Sequence, residues 1–410
     1  MHPEKTIIAS AKETKQKTPA GNRVESIDLL RGAVMIIMAL DHVRDYFHKD
    51  AFLYDPTDLA HTHVLLFFTR WITHFCAPVF VFLAGISAYL YGAKRSRAEL
   101  SFFLFTRGVW LVFAEMFIVT LGWTFNPGYP ILNLQVIWAI GMSMLVLSVL
   151  VYMNVRLILL TGLLLVVGHN LLDGVHIPGT GVASVFWAFL HDPGDYSIGR
   201  FAFFIHYPLL PWIGILAVGY CAGHLYRGGY DPERRKELLF YLGGWALVLF
   251  FFLRALNSYG DAAHWHVQGS TAFDVLSFLN VTKYPPSLLY ILMTLGPALV
   301  FLALMERPLR GWMKKVALLG RVPMFYYLAH IYLIHGLAVV GALVAGYKGS
   351  DMIGLSNRVN RVPALKGYGF NLFVVYVVWV GVVLLLFPCC RWFDRYKRAN
   401  QRRWRWLSYL

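Results

Sequence analysis

The chain has 410 residues, of which 58% are hydrophobic and only 14% are charged, a composition that excludes an ordinary soluble globular protein. A formal net charge of +15 would favour a nucleic-acid partner in a soluble protein. In a membrane protein, attraction to the anionic headgroups of the inner leaflet explains such an excess. We therefore expect the lipid bilayer as a partner and no nucleic acid.

Apolar runs along the chain predict an all-α integral membrane protein, with a single bundle of about ten (ten to eleven) transmembrane helices. Residues 1–25 are polar and Lys-rich, which predicts a disordered cytoplasmic tail and no cleavable signal peptide. Residues 26–390 form the transmembrane domain, and residues 391–410 form a basic and aromatic cytoplasmic tail. The predicted spans are 28–47, 68–91, 102–122, 131–153, 156–172, 201–225, 238–256, 285–304, 316–341 and 370–389.

The distribution of lysine and arginine predicts the orientation of this bundle. Basic side chains are enriched, by roughly three to one, in the segments on the same side of the membrane as the N-terminus. Because basic residues collect on the cytoplasmic side, we expect both termini to be cytoplasmic.

The first predicted span carries ionisable side chains that a lipid-facing helix avoids, namely Arg31, Asp41, His42, Arg44 and Asp45. A charged group near the bilayer centre costs roughly 2.5 to 3.5 kcal/mol on insertion scales, so these groups face protein, water or a ligand. This helix is therefore the first candidate for a functional site.

Helical spacing places two of these residues on one face. Arg31 and His42 are eleven residues apart, which puts them about 16 Å apart along the axis. Asp28 precedes Arg31 by three residues and Asp45 follows His42 by three, so each carboxylate can reach its neighbour. A carboxylate of Asp45 or Asp41 on one ring nitrogen would orient the imidazole and leave the other nitrogen as a base. Asp28 and Arg31 would have a catalytic role or, alternatively, would form only a structural ion pair at the end of the helix.

Most histidines fall in the predicted outer halves of spans or beside outer loops, which predicts a polar site that opens outward. With Asp41, Asp45 and Glu115, they would also suit a multi-pass transporter with a proton or metal path, the main alternative to an enzyme. Metal-binding histidines more often stand three or four residues apart on one helix, unlike His330 and His335, so no metal is expected. A non-catalytic partner of a lipid or glycan carrier is a third alternative.

Several blocks of the sequence resemble the heparan-alpha-glucosaminide N-acetyltransferase family and its uncharacterised bacterial relatives. The resemblance covers about residues 24–340. An arginine followed by ten residues and a histidine is also similar to the first helix of membrane O-acyltransferases that modify bacterial surface sugars. The blocks are SIDLLRG at 26–32 with His42 following, FCAPVFVFLAG at 75–85, PWIG at 211–214, KYPPSL at 283–288 and LGRVPMFYY at 319–327.

The resemblance implies that residues 26–390 form an acyltransferase-like domain in the bacterial plasma (inner) membrane. It would move an acetyl or other short acyl group from cytoplasmic acyl-CoA, typically acetyl-CoA, to a sugar amine or hydroxyl outside. The expected partners are acyl-CoA and a glycan or glycolipid acceptor, and a homo-oligomer is left open. His42 would be the general base, with Asp41 or Asp45 beside it. Lysosomal members carry asparagine at this position and their supposed catalytic histidine further on, where His48 is the candidate.

The same resemblance assigns binding roles to residues at the two ends of the helices. Arg31, Arg107 and Arg321 would contact the phosphates of the cofactor, although a positive-inside topology alone also places arginines there. Lys283 would bind an anionic acceptor, or its amine would only extend to the membrane surface. His330 would stabilise an oxyanion, or it would only form a hydrogen bond with a neighbouring helix. The predicted acceptor-binding residues are His74, Lys283, Tyr284, Tyr326 and His330.

Overall fold

The computed structural model describes residues 24–199, 201–353, 363–401, 403, 404 and 407, so the predicted N-terminal tail lies almost wholly outside the described residues. The described chain is mostly helical. Its α-helices are α1 Glu25–Phe47, α2 Val64–Trp71, α3 Cys76–Gly92, α4 Arg97–Phe113, α5 Thr120–Thr124, α6 Val136–Leu150, α7 Val155–Gly168, α8 Val182–Leu190, α9 Leu209–Ala222, α10 Pro232–Leu256, α11 Thr271–Leu279, α12 Leu288–Leu304, α13 Trp312–Arg321, α14 Pro323–Val344 and α15 Leu372–Asn400.

Within the described ranges, seven helical segments are long and apolar enough to cross a membrane. The helices α6 and α12 are apolar but shorter, with 15 and 17 residues. The 23-residue helix α1 is long enough to span a bilayer but carries the ionisable residues named above. A mostly helical, multi-pass membrane protein is thus confirmed, whereas the count of ten or eleven spans and the side of each terminus stay predictions. The seven segments are Val64–Gly92, Arg97–Thr124, Val155–Leu172, Leu209–Tyr226, Pro232–Leu256, Pro323–Val344 and Leu372–Asn400.

A small sheet corrects the prediction that the chain is all-α. Strands β1 Ile131–Leu134, β2 Gly194–Ile198 and β3 Phe201–Ile205 form it in the order β1-β3-β2. Strand β1 runs parallel to β3, with Ile131 opposite Ala202, and β2 runs antiparallel to β3. Both β1 and β3 occupy the first residues of predicted spans, because an apolar run alone does not distinguish a strand from a buried helix.

The predicted span 316–341 consists of two helices, because the chain breaks between α13 and α14. Pro323 has no backbone N–H, and it disfavours helical backbone at the preceding residue. Val322 accordingly has φ −127° and ψ 50°. By contrast, α15 continues beyond its predicted end at residue 389 as far as Asn400, so the first half of the predicted C-terminal tail is helical.

Helix α1 lies inside the bundle and packs against α3, α12, α13, α14 and α15. Its crossing with α13 is made by two glycines, Gly32 and Gly320. A Cβ atom at Gly32 would overlap the carbonyl oxygen of Val316, and one at Gly320 would overlap that of Asp28. Glycine at both positions therefore allows the two backbones to touch, as small residues do at helix crossings in membranes.

The substitution Gly320→Ala is expected to lower the free energy of unfolding by about 3 kcal/mol, because a backbone oxygen cannot rotate away from the added methyl group. Denaturant or thermal unfolding of the purified protein measures this loss. The control is Gly244→Ala in α10, where an added Cβ meets nothing within 4 Å, and it should change stability by less than about 1 kcal/mol. Equal losses in both variants would contradict the close crossing.

Candidate functional site

A second histidine, His330, forms a hydrogen bond with His42. The Nδ1 atom of His42 lies 2.7 Å from Nε2 of His330, and the two rings stack with their centroids 4.9 Å apart. His330 is fully buried, and its Nδ1 lies 2.9 Å from the carbonyl oxygen of Tyr326, which can only accept a hydrogen bond. The proton of His330 therefore sits on Nδ1, and its Nε2 accepts from His42. This assignment of the two ring protons leaves the Nε2 atom of His42 with a free lone pair.

The carboxylates predicted to orient His42 are paired with arginines. The Asp41 carboxylate lies 2.6 Å from Arg70 and 2.8 Å from Arg44, and Asp45 also pairs with Arg44. The predicted role of Asp41 and Asp45 as direct partners of the imidazole is therefore wrong. The physical reason is that a guanidinium group forms a charge-assisted bond with a carboxylate, which is stronger than a bond from a neutral imidazole.

A cavity of about 560 Å³, here called the polar cavity, lies beside this ion cluster. Charged groups and aromatic rings share its wall. Burial would raise the pKa of Asp55, but the charge of Arg70 and two hydrogen bonds from Thr57 hold that pKa below its usual value. In the described part of the chain, no three His, Cys, Asp or Glu side chains are grouped as a metal site requires. The wall includes Asp41, His42, Arg44, Asp45, Tyr54, Asp55, Arg70, Trp123, His206, Tyr207, Lys283 and Tyr284.

A second cavity of about 350 Å³, here called the basic cavity, lies along the N-terminal half of α1. Its walls are largely apolar and include Met35, Phe80 and Ile140. The three arginines that were predicted to contact the phosphates of the cofactor all line this cavity, together with a lysine of α15. These four cations are Arg31, Arg107, Arg321 and Lys397.

Neighbouring groups fix two of these arginines. Arg31 donates to Ser87 Oγ at 2.9 Å and to the carbonyl oxygen of Gly320 at 3.2 Å, and it pairs with Asp28 at 3.6 Å. Asp28 and Arg31 are thus an ion pair at the helix end that also forms part of a cavity wall. Asp394 of α15 pairs with Arg321 at 3.2 Å.

His42 stands between the two cavities. One aromatic neighbour is Trp123, whose ring centroid lies 4.7 Å from that of His42 and which lines the polar cavity. The other is Tyr327, at 6.5 Å, which lines the basic cavity. His42 therefore lines the polar cavity and lies next to a ring that lines the basic cavity.

Four predicted site residues line neither cavity: His330, which contacts His42 as described above, and His48, His74 and Tyr326. His74 is buried, and its carbonyl oxygen accepts a hydrogen bond from Tyr290. Tyr326 is fully buried and acts through its backbone carbonyl on His330. His48 ends α1 and is 2% exposed, and burial lowers its pKa to about 4. His74 and Tyr326 are thus packed inside the bundle, and the described wall of the polar cavity does not include His48.

Sequence reasoning missed four residues of the site. Arg70 is the one with a sequence signal, because an arginine within an apolar span indicates a buried partner. Trp123, Tyr327 and Lys397 carry no sequence signal of this kind, because aromatic residues and terminal lysines are common in membrane proteins. Only the packing of α5, α14 and α15 brings them to the cavities.

The buried Glu115, to which the sequence assigned a place only in the transporter alternative, caps a helix. It lies in a π-helical turn, Ala114–Val119, and its Oε2 accepts a hydrogen bond of 2.9 Å from the backbone N–H of Trp138 in the first turn of α6. Carboxylates favour helix N-termini because the first N–H groups have no partner within the helix. Glu115 therefore supports the position of α6, which forms part of the basic cavity.

The fold and the site together define a multi-pass membrane protein in which one histidine lines a polar cavity and lies next to a residue of a basic cavity. Residues 23–254 match the sequence model described as "Heparan-alpha-glucosaminide N-acetyltransferase, catalytic". Because this match covers more than half of the chain, the protein belongs to that family, whose members are acetyltransferase-type enzymes. None of the curated proteins compared with the chain matches it. Arg321, Tyr327, His330 and Lys397 lie beyond the matched residues.

Proposed function

We propose that the protein transfers an acetyl or other short acyl group from acyl-CoA in the basic cavity to an amine or hydroxyl of a sugar in the polar cavity. The position of His42 between the two cavities is the observation that carries this proposal. With both termini cytoplasmic, the basic cavity would face the cytoplasm, where acyl-CoA is made. The polar cavity would then face outward, toward a glycan or glycolipid.

The chemistry of the basic cavity suits a coenzyme A thioester. Phosphate groups bind arginine through charge-assisted hydrogen bonds, and Arg31, Arg107, Arg321 and Lys397 supply four cations. The apolar part of the wall would accommodate the pantetheine arm and the acyl group, which carry no charge. An inner-leaflet position would add attraction to anionic ligands in general.

The hydrogen-bond order at His42 supports direct transfer with a general base. The Nε2 atom of His42 would take the proton of the acceptor as its nitrogen or oxygen attacks the thioester carbonyl. The C–S bond then breaks, and the thiolate leaves and receives that proton from the imidazolium. His330 acts as a positioning residue, because its Nε2 keeps the Nδ1 proton of His42 away from the cavity. Direct transfer of this kind needs no protein nucleophile.

The polar cavity suits a sugar. Its carboxylates and cations offer acceptors and donors to hydroxyl groups, and the rings of Tyr54, Trp123 and Tyr284 offer apolar contact to a sugar face. Lys283 and Tyr284 remain candidates for acceptor binding, since both are in the wall and Lys283 lies 5.1 Å from the centre of the Tyr284 ring.

Radiolabelled acetyl-CoA tests the proposal in membranes that contain the protein. With a panel of amino sugars and neutral sugars, label should enter the acceptor, and one free thiol should appear for each acetyl group transferred. Thiol release should require both substrates. Uptake of a solute into sealed vesicles without consumption of the thioester would instead support the transporter alternative and contradict the proposal.

The substitution His330→Leu is expected to lower kcat by at least about 10-fold without changing KM, because His42 loses the acceptor that fixes its tautomer. His330→Gln offers an amide oxygen at a similar place and should recover part of the rate. Initial rates of label transfer measure both variants. If the two variants lose activity equally, His330 has a packing role only.

The substitution Arg321→Gln is expected to raise KM for acetyl-CoA by about 10- to 100-fold, the effect of losing one hydrogen bond to a charged group. KM for the acceptor and kcat should stay unchanged, because Arg321 lines only the basic cavity. Arg156→Gln is the matched control, since this exposed arginine lines neither cavity. An unchanged KM for acetyl-CoA in Arg321→Gln would remove this residue from the donor site.

A further inference from the structure

A third cavity, of about 950 Å³, lies at the end of the bundle where α1 begins. Four segments meet there: the start of α1, the end of α3, the loop before α10 and the loop after α12. None of its wall residues belongs to the polar or the basic cavity. The proposed acyl transfer therefore leaves this cavity without a role, and we call it the third cavity.

The charges of the third cavity are unbalanced. Four cations and two carboxylates line it, and both carboxylates are engaged inside the protein. Glu306 forms an ion pair with Arg235 and accepts a hydrogen bond of 3.1 Å from Ser26 Oγ. Glu25 accepts from the backbone N–H of Leu309 at 3.3 Å.

Three cations of the wall are left for a ligand. Lys94, Arg227 and Arg307 are exposed and come from three separate segments, and in the described part of the chain they form no ion pair. A positive-inside topology alone would distribute such residues over the surface. Here they converge on one concave site, where their mutual repulsion favours a bound anion.

A buried hydroxyl provides a second, independent observation. Tyr226 lines the third cavity and is 7% exposed, and its hydroxyl, which has Ser26 as a polar neighbour, makes no hydrogen bond of full geometry within the described structure. The Arg235 guanidinium lies over its ring, 4.9 Å from the centroid. A buried hydroxyl without a partner costs free energy, so a polar ligand at this place would satisfy it.

We infer that the third cavity binds a phosphate group through Lys94, Arg227 and Arg307. Arginine matches the geometry of phosphate oxygens by paired hydrogen bonds, and lysine adds a point charge. The phosphate would belong either to the headgroup of an anionic phospholipid or to a soluble phosphate compound. This binding does not depend on the proposed acyl transfer.

Native mass spectrometry of the full chain in detergent tests the inference with three probes: phosphatidylglycerol, phosphatidylcholine and inorganic pyrophosphate. The wild-type protein should bind phosphatidylglycerol more tightly than phosphatidylcholine. The triple variant Lys94→Gln, Arg227→Gln, Arg307→Gln should weaken that binding by about 100-fold, since each cation near an anionic membrane contributes on the order of 1 kcal/mol. The single variant Arg307→Gln should show a partial loss and guards against misfolding of the triple variant.

The matched control removes three positive charges elsewhere: Lys314→Gln, Lys315→Gln, Arg156→Gln. These exposed residues line none of the three cavities, so this variant should bind as the wild type does. Loss of phosphatidylglycerol in the cavity variant alone supports a lipid ligand. Loss of pyrophosphate there, without any lipid preference, supports a soluble phosphate compound. Equal binding of both anions by the two triple variants, or no anion preference in the wild type, would overturn the inference.

Discussion

The substitution His42→Gln is expected to lower kcat for acyl transfer by about 100- to 10,000-fold, the usual contribution of a general base. Binding of acetyl-CoA should be unchanged, because His42 lines the polar cavity and the donor occupies the basic one. Rates of label transfer from acetyl-CoA, normalised to the amount of protein, give the first quantity. Equilibrium binding of acetyl-CoA gives the second.

His48→Gln is the matched control for this experiment. His48 is a buried histidine at the end of the same helix, and its Nδ1 accepts from the backbone N–H of Asp50 at 3.3 Å. This variant should retain most of the wild-type rate. Equal labelling by the wild type and His42→Gln would remove His42 from catalysis, and loss of transfer in His48→Gln alone would identify the later histidine as the base.

The substitution Asp41→Leu is expected to lower the free energy of unfolding by about 3–5 kcal/mol, because it leaves the buried Arg70 without its carboxylate. The Asp41 and Arg70 side chains are only 13% and 11% exposed, so solvent screens the unpaired charge only in part. Denaturant unfolding of the purified protein in detergent measures the change.

The double variant Asp41→Leu, Arg70→Met serves as the control for the ion pair. It removes both charges and keeps their volume, and it should recover most of the lost stability, as replacement of a whole buried pair often does. If the double variant is as unstable as the sum of the two single ones, the two side chains do not stabilise each other.

The parts of the site that follow from local helix geometry could be predicted from the sequence. Arg31 and His42 lie on one helix, and their spacing alone places them on the same face of it, one further along the axis than the other. Arg107 and Arg321 were assigned with Arg31 from family resemblance and their place at helix ends, and all three line the basic cavity. Helix spacing thus relates Arg31 to His42, whereas only the family resemblance related Arg31 to Arg107 and Arg321, which are distant in sequence; their binding role stays a prediction.

The partner of His42 could not be predicted in this way. Asp45 stands three residues away and had the right spacing, yet the observed partner, His330, is 288 residues distant. Spacing does not show which of several donors a carboxylate will bind or which acceptor an imidazole will bind, and here Arg44 and Arg70 pair with the carboxylates. Which helices meet depends on packing across the bundle, and a single sequence carries little information on it.

The central position of α1 in the bundle affects when its contacts can form during synthesis. Of the described helices, α1 leaves the ribosome before the others, and Arg70, only 29 residues after Asp41, can neutralise Asp41 while the chain is still growing. The helix face around Gly32 can pack only after α13 has been synthesised, and His42 can contact its partner His330 only after α14 has been synthesised. Among the described helices, the earliest in the chain is thus among the last to complete its contacts. Truncation near the C-terminus is therefore expected to damage the N-terminal helix most, far along the chain from the residues removed.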